Sequence, residues 1–150
     1  MCSNKKIEKI LKANPNHVVL IDEAYVDFGG ESCADLIKEY PNLLCVQTFS
    51  KSRSLAGARL GFAIADKEII KDLEKIKYST NPYNINRLTL ILGTEAINDK
   101  DYFDTNRKLI IEAREYTEKA LSELGFEVLP SKTNFVFAKS HKVSGEDLYL

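Results

Sequence analysis

The chain contains the run His17-Val18-Val19-Leu20-Ile21, which ends at Asp22. It is continuous, apolar and rich in β-branched residues, a pattern typical of a strand buried on both faces. Strands of this kind occur in parallel sheets that are covered by helices. We therefore predict that residues 17–21 form a buried strand of an α/β fold.

The segments on either side repeat this alternation of strands and helices. Apolar runs at 43–48 and 60–65 predict two further strands, and apolar residues at helical spacing predict the helices between them. The predicted helices lie around residues 7–11, 33–40, 66–76 and 85–97. This order favours an α/β domain with a mainly parallel sheet between helices.

A different unit follows from about residue 101. A long amphipathic helix at 101–124 precedes two short strands at 126–129 and 134–138. We assign residues 1–100 to the end of a large domain, and residues 101–150 to the connecting helix and the start of a small α+β domain. A last helix starts at Ser144 with no C-cap or following strand, so we expect the chain to be part of a longer protein.

Composition excludes several classes of function. The 150 residues carry a net charge of -1 without a basic stripe, which argues against a nucleic-acid partner. No apolar run reaches the ~20 residues needed to span a bilayer. The three cysteines lack C-x-x-C spacing, so we expect reduced thiols, no metal site and a cytoplasmic location.

The segment Ile21-Asp22-Glu23-Ala24-Tyr25 places an acid at the carboxyl end of the first strand. Ligands of open α/β sheets bind at this edge. Asp22 is open to three interpretations: a ligand-binding acid, a cap of the next turn, or the Mg²⁺-binding acid of a P-loop ATPase. The last needs a G-x-x-x-x-G-K-[ST] loop, which the sequence lacks. Strand alternation points Glu23 the opposite way, and we assign it no catalytic role.

The segment from Thr48 to Phe62 is the second chemical candidate. Lys51 is flanked by the hydroxyls of Thr48, Ser50 and Ser52, and Arg59 follows eight residues later. Hydroxyls and a guanidinium suit a phosphate group, and a nearby lysine amine can condense with an aldehyde. We expect Gly57 to allow a tight turn between Lys51 and Arg59.

Three motifs in this order resemble the cofactor-binding core of the fold-type I aminotransferases that depend on pyridoxal 5'-phosphate (PLP). They are D-E-A-Y at 22–25, T-F-S-K-S at 48–52 and L-A-G-A-R-L-G-F at 55–62. The resemblance covers essentially the whole chain and is strongest to the histidinol-phosphate branch of the family. It implies the aspartate aminotransferase-like fold, with a large PLP-binding domain and a small C-terminal domain.

The resemblance also implies a role for each candidate residue. Lys51 forms the Schiff base with PLP and then moves a proton of the substrate, while Asp22 faces the pyridine nitrogen. Tyr25 donates to the phenolic oxygen of the cofactor. The phosphate is bound by Ser50 and Arg59, with Thr48 as a further candidate.

Partners follow from the same resemblance. They are an amino donor and a 2-oxo acid, namely histidinol phosphate and 2-oxoglutarate, and a second copy of the chain in a homodimer. A PLP-dependent decarboxylase of threonine phosphate shares every residue named above and is the alternative. Members of the family are about twice as long, and their substrate-carboxylate clamp has no counterpart here. We therefore expect the full parent enzyme to transaminate and the 150 residues alone to be inactive.

Overall fold

The computed structural model describes residues 2–149 and confirms the α/β class. Helix α1 precedes strand β1, and two 3-10 helices then lead to β2. A third 3-10 helix precedes β3. The bounds are Asn4–Ala13 for α1, Val19–Asp22 for β1, Val26–Phe28 and Ala34–Lys38 for the first 3-10 helices, Leu43–Thr48 for β2, Ala56–Ala58 for the third 3-10 helix and Gly61–Ala65 for β3.

The remaining elements are mainly helical. They are α2 (Lys67–Thr80), α3 (Arg87–Asn98), α4 (Lys100–Glu123), β4 (Glu127–Leu129), β5 (Phe137–Lys139) and α5 (Gly145–Tyr149). Three helices begin at a side-chain cap. The Asp66 carboxylate accepts a backbone N–H from the first turn of α2, the Asn86 amide oxygen accepts one from α3, and the Asp99 carboxylate accepts one from α4. Side chains of these types satisfy amides that have no partner within the helix. The predicted helix starts are therefore supported by local caps.

The three-stranded sheet has the order β1-β2-β3 and is mixed. β1 and β2 run parallel with Asp22 opposite Val46. β2 and β3 run antiparallel with Thr48 opposite Gly61. β4 and β5 form a separate antiparallel pair. The parallel pairing brings the carboxyl ends of β1 and β2, and so the two sequence motifs that follow them, to one edge of the sheet.

The core lies on one face of this sheet. It is formed by two residues of α1, the residue before the second 3-10 helix and two residues of β2: Ile7, Leu11, Cys33, Leu43 and Cys45. Val19 and Ile21 of β1 pack against this cluster. Leu20 points to the other face and is 56% exposed. The prediction that β1 is buried on both faces is wrong for this chain, because α1 covers only the face that carries Val19 and Ile21.

The β4-β5 pair packs against the end of α4, which contacts β4 and also the Val26–Phe28 helix. The division of the chain at residue 100 stays a prediction. Within residues 2–149, every helix falls short of the length or the apolar character that crossing a membrane requires.

Candidate active site

The loop that carries Lys51 is anchored on both sides. Phe49 is buried, and so is Ser52, which is 2% exposed. The hydroxyl of Ser52 donates a hydrogen bond to the Asp27 carboxylate. Arg53 donates from Nη1 to the carbonyl of Ala96 at 2.7 Å. Because its neighbours are fixed in the interior, Lys51 is held at the sheet edge with its side chain partly exposed.

Lys51 and Tyr25 meet at this edge. The Lys51 Nζ atom lies 5.3 Å from the centroid of the Tyr25 ring. The ring of Phe135 also contacts Tyr25, edge-on and at a centroid distance of 5.5 Å. Within residues 2–149, Lys51 forms none of the salt bridges, so no carboxylate neutralises its amine at close range.

Asp22 and Tyr25 line one cavity of about 340 Å³. Its opposite wall comes from the β4-β5 unit and includes Lys132, Phe135 and Phe137. One oxygen of Asp22 accepts the N–H of Ala24 at 2.9 Å, so Asp22 does cap its own turn. The cavity nevertheless combines a carboxylate, a phenol and aromatic walls, with the Lys51 amine next to the same phenol.

The hydroxyls of Thr48 and Ser50 lie together at the end of β2. Thr48 Oγ1 is 2.9 Å from Ser50 Oγ, and it accepts the Ser50 N–H at 3.1 Å. The antiparallel pairing continues past Thr48, since the Phe49 N–H donates to the Leu60 carbonyl. Arg59 directly precedes Leu60, the residue that pairs with Phe49. Its guanidinium donates to the Ala56 carbonyl at 3.1 Å.

The expected role of Gly57 is wrong. A Cβ at Gly57 meets nothing within 4 Å, and its φ is outside the left-handed range. The left-handed residues of this segment are Ser54, with φ 56°, and Arg59, with φ 52°. The chain turns through Ala56–Ala58 as a 3-10 helix, a conformation that any residue adopts.

Glu23 faces the core, as strand alternation predicts. It is 4% exposed, and its carboxylate accepts hydrogen bonds from the Cys33 N–H, the Ser32 hydroxyl and the Gln47 amide at 2.7, 2.8 and 2.9 Å. A buried carboxylate with three donors is well satisfied. Glu23 therefore joins β1 to β2 and to the segment before Ala34–Lys38, directly behind Asp22.

Two thiols accompany this carboxylate. Cys33 Sγ and Cys45 Sγ are 3.3 Å apart, both residues are 0% exposed, and both sulfurs lie within 4.8 Å of a Glu23 oxygen. Burial raises the pKa of each thiol above its ordinary value, and the carboxylate of Glu23 adds to the rise at Cys33. Cysteine spacing alone gave no sign of this proximity.

Arg114 is a structural residue of the site that the sequence interpretation missed. It is 9% exposed, and its Nη1 atom donates to the carbonyls of Phe28 and Thr133, both at 2.9 Å. A signal was present: Arg114 lies four residues after Ile110, on the apolar side of the long helix. It ties the segment after Tyr25 to the loop that carries Phe135.

Comparison with known proteins defines the class. The model of the family "Aminotransferase class I and II" matches residues 1–148, and the chain belongs to this family. The P-loop ATPase alternative is therefore wrong. The histidinol-phosphate aminotransferase of Brachyspira hyodysenteriae is 53% identical over 146 residues, which are 97% of this chain and 41% of that protein. The chain thus spans about two fifths of this relative, in agreement with the expectation that it is part of a longer protein.

Solved structures give the same result. The histidinol-phosphate aminotransferase from Clostridium acetobutylicum superposes with a TM-score of 0.88 at 29% identity, covering 99% of this chain and 46% of that chain. The enzyme from Sinorhizobium meliloti, solved in complex with pyridoxal-5'-phosphate, superposes with a TM-score of 0.74 at 26% identity. This match covers 86% of our chain and 36% of that chain. The expected family and fold are confirmed.

Proposed function

We propose that the longer protein to which this chain belongs is a PLP-dependent histidinol-phosphate aminotransferase that uses 2-oxoglutarate as amino acceptor. The observation that carries the proposal is the position of the Lys51 amine, 5.3 Å from the ring of Tyr25, which shares a cavity with Asp22. The choice of histidinol phosphate rests on the name of a relative that is 53% identical.

The residues at the sheet edge fit PLP. The Lys51 amine lies beside the ring of Tyr25, and Tyr25 shares a cavity with the Asp22 carboxylate. The amine, the phenol and the carboxylate match the aldehyde, the phenolic oxygen and the pyridine nitrogen of the cofactor. When bound, PLP supplies the electron sink that amino-acid chemistry requires. Phe135 and Phe137 add apolar surface to the wall of the cavity.

Each side chain has its own role in this proposal. Asp22 holds a proton on the ring nitrogen, because a nearby carboxylate favours the cationic form. The Tyr25 hydroxyl donates to the phenolic oxygen. Lys51 Nζ would hold the cofactor, and the same amine would accept the proton of the substrate α-carbon and later return it.

The phosphate of PLP is assigned to Ser50 and Arg59, with Thr48 as their neighbour. The Thr48 hydroxyl donates its proton to Ser50 Oγ, which orients the Ser50 hydroxyl so that its own proton can be donated to a phosphate oxygen. Among residues 2–149, the guanidinium of Arg59 donates to one carbonyl, that of Ala56 in its own turn, and the residue is exposed. A rotation of this side chain exchanges that hydrogen bond for a charge-assisted one to phosphate.

Homodimerisation and a cytoplasmic location are further parts of the proposal. The first comes from the family resemblance, and the second from the cysteine pattern and the lack of a long apolar run. We also propose that residues 1–150 alone have no transaminase activity, because the substrate clamp of the family has no counterpart among them. Turnover of histidinol phosphate by the purified chain at ordinary enzyme rates contradicts this part. Release of CO₂ from threonine phosphate by the longer protein favours the decarboxylase instead.

The direct test of the site is borohydride reduction in the presence of PLP, on both the chain and the longer protein. Trypsin cleaves after Lys51 in unmodified protein and yields residues 39–51. Attachment of PLP at Lys51 blocks this cleavage, so we expect the peptide 39–53 with the mass of one reduced cofactor. Lys51→Ala is expected to abolish the visible absorption band of bound PLP.

Lys132 provides the matched control, since it lines the cavity that Asp22 and Tyr25 share. Lys132→Ala is expected to leave labelling of the peptide 39–53 unchanged. Labelling of the longer protein that is spread over exposed lysines, or that disappears only in the Lys132 variant, contradicts the assignment of Lys51.

A further inference from the structure

Cys33 and Cys45 form a buried dithiol outside the proposed cofactor site. Cys33 precedes the 3-10 helix Ala34–Lys38, and Cys45 lies in the middle of β2. Their sulfur atoms are 3.3 Å apart, and neither residue has accessible surface. Cys2, by contrast, is exposed. Two thiols at this separation need little movement to reach the ~2.05 Å of a disulfide bond.

A metal ion fits this cluster less well. The two sulfur atoms supply only two of the four ligands that a structural tetrahedral metal ion takes. The third ligand atom offered is an oxygen of Glu23. That carboxylate already accepts three hydrogen bonds from the protein. Coordination of a metal ion by Glu23 therefore breaks hydrogen bonds of this carboxylate that a disulfide bond leaves in place.

We infer that Cys33 and Cys45 are a disulfide-forming pair whose oxidant is a small-molecule disulfide. One thiolate attacks a sulfur of the oxidant and releases one small thiol, which leaves a mixed disulfide on the protein. The second thiolate attacks the protein sulfur of that bond and releases the other small thiol. In sum, two protein thiols are oxidised to one disulfide, one small disulfide is reduced, and both protons end on the released thiols.

Access to the pair comes from the segment before the second 3-10 helix. Ser32 is exposed, and the five-residue helix Ala34–Lys38 contributes no buried residue. Ala34, Leu36 and Ile37 of this helix are partly buried against the core, so exposure of Cys33 requires local opening of this short element. Burial keeps both thiols protonated, so the reaction is slow near neutral pH and accelerates as the pH rises.

The disulfide bond cross-links two segments that lie beside the proposed cofactor site. It links β2, which leads into the Lys51 loop, to the segment whose Cys33 N–H holds the Glu23 carboxylate. A cross-link between residues 33 and 45 restricts the unfolded chain and is expected to raise the melting temperature. It does not depend on PLP, so its test is independent of the proposed function.

The experiment uses the chain with Cys2→Ser, treated with oxidised glutathione at pH 7 and pH 8.5 and then unfolded for thiol titration. We expect the loss of both titratable thiols, a mass decrease of about 2 Da, and a faster reaction at the higher pH. Trypsin is then expected to release residues 13–38 joined to residues 39–51, which carry Cys33 and Cys45 respectively. A dithiol reductant is expected to restore both thiols.

Additional Cys33→Ser or Cys45→Ser substitutions are the matched controls, with circular dichroism to establish that they fold. Each is expected to retain one thiol or to carry one glutathione, and never to give the joined peptides. The inference is overturned by two free thiols after prolonged oxidation of the Cys2→Ser chain. It is equally overturned by two separate glutathione adducts.

Discussion

Arg114 donates a hydrogen bond of 2.9 Å to the carbonyl of Phe28, a residue 86 positions earlier in the chain. The same Nη1 atom donates to the carbonyl of Thr133. Phe28 is fully buried three residues after Tyr25. One buried guanidinium therefore links the 3-10 helix that follows Tyr25 to the loop between β4 and β5, and both segments line the cavity of Asp22.

Arg114→Met is expected to lower the free energy of unfolding by about 3 kcal/mol, because two carbonyls lose a charged donor. Chemical denaturation of the chain measures this change. Hydrogen exchange around residues 131–135 is expected to become faster at the same time. Arg87→Met is the control, since Arg87 is exposed at the start of α3, and it is expected to stay within about 0.5 kcal/mol of the parent chain. Equal effects of the two substitutions contradict the assigned role.

Glu23→Gln is expected to cost about 2 kcal/mol of unfolding free energy. The carboxylate accepts three hydrogen bonds, whereas an amide must turn its NH₂ group toward at least one of these donors. Urea unfolding of this variant is compared with that of Glu31→Gln. Glu31 is exposed eight residues later, and its substitution is expected to be nearly neutral. If Glu23→Gln leaves the free energy of unfolding unchanged, the buried carboxylate is dispensable for stability.

Gly61→Ala and Gly57→Ala are expected to differ sharply. A Cβ at Gly61 comes within 2.9 Å of the Gln47 carbonyl oxygen, a backbone atom of the neighbouring strand, while one at Gly57 meets nothing within 4 Å. We expect Gly61→Ala to destabilise the chain by roughly 1–3 kcal/mol and Gly57→Ala to change it by less than about 0.5 kcal/mol. Thermal unfolding distinguishes the two, and a harmless Gly61→Ala variant means that β2 and β3 separate easily there.

The buried thiols predict an alkaline loss of stability. Burial raises the pKa of Cys33 and Cys45 in the folded chain above the ordinary value of 9.0. The raised pKa values contribute to the free energy of unfolding. This contribution is fully present below pH 9.0 and is lost as the pH rises above it, because only the unfolded chain then releases these protons. Denaturant midpoints under reducing conditions are expected to fall less between pH 7 and pH 10 for Cys33→Ala/Cys45→Ala than for the parent. Cys2→Ser is expected to show the full fall, and an identical fall in all three proteins rules the effect out.

Most of the secondary structure could be predicted from local pattern. The long helix expected at 101–124 is found at Lys100–Glu123, and the predicted strand 43–48 is β2 without a change of bounds. The strand expected at 134–138 begins only at Phe137. Ser131 and Thr133 explain the difference, since their hydroxyls donate to the Phe135 carbonyl and use it in a local turn.

The sequence by itself determined the order of the strands and helices, the family, and which residues are candidates for the site. These properties reside in neighbouring residues: apolar spacing, helix caps, and motifs such as T-F-S-K-S. Tertiary structure decided the direction of β3, the meeting of Lys51 with Tyr25, the pairing of Cys33 with Cys45, and the burial of Arg114. Each of these depends on contacts between segments distant in the chain, and the free energy of such contacts comes from burial and hydrogen bonding that exist only once the elements have packed.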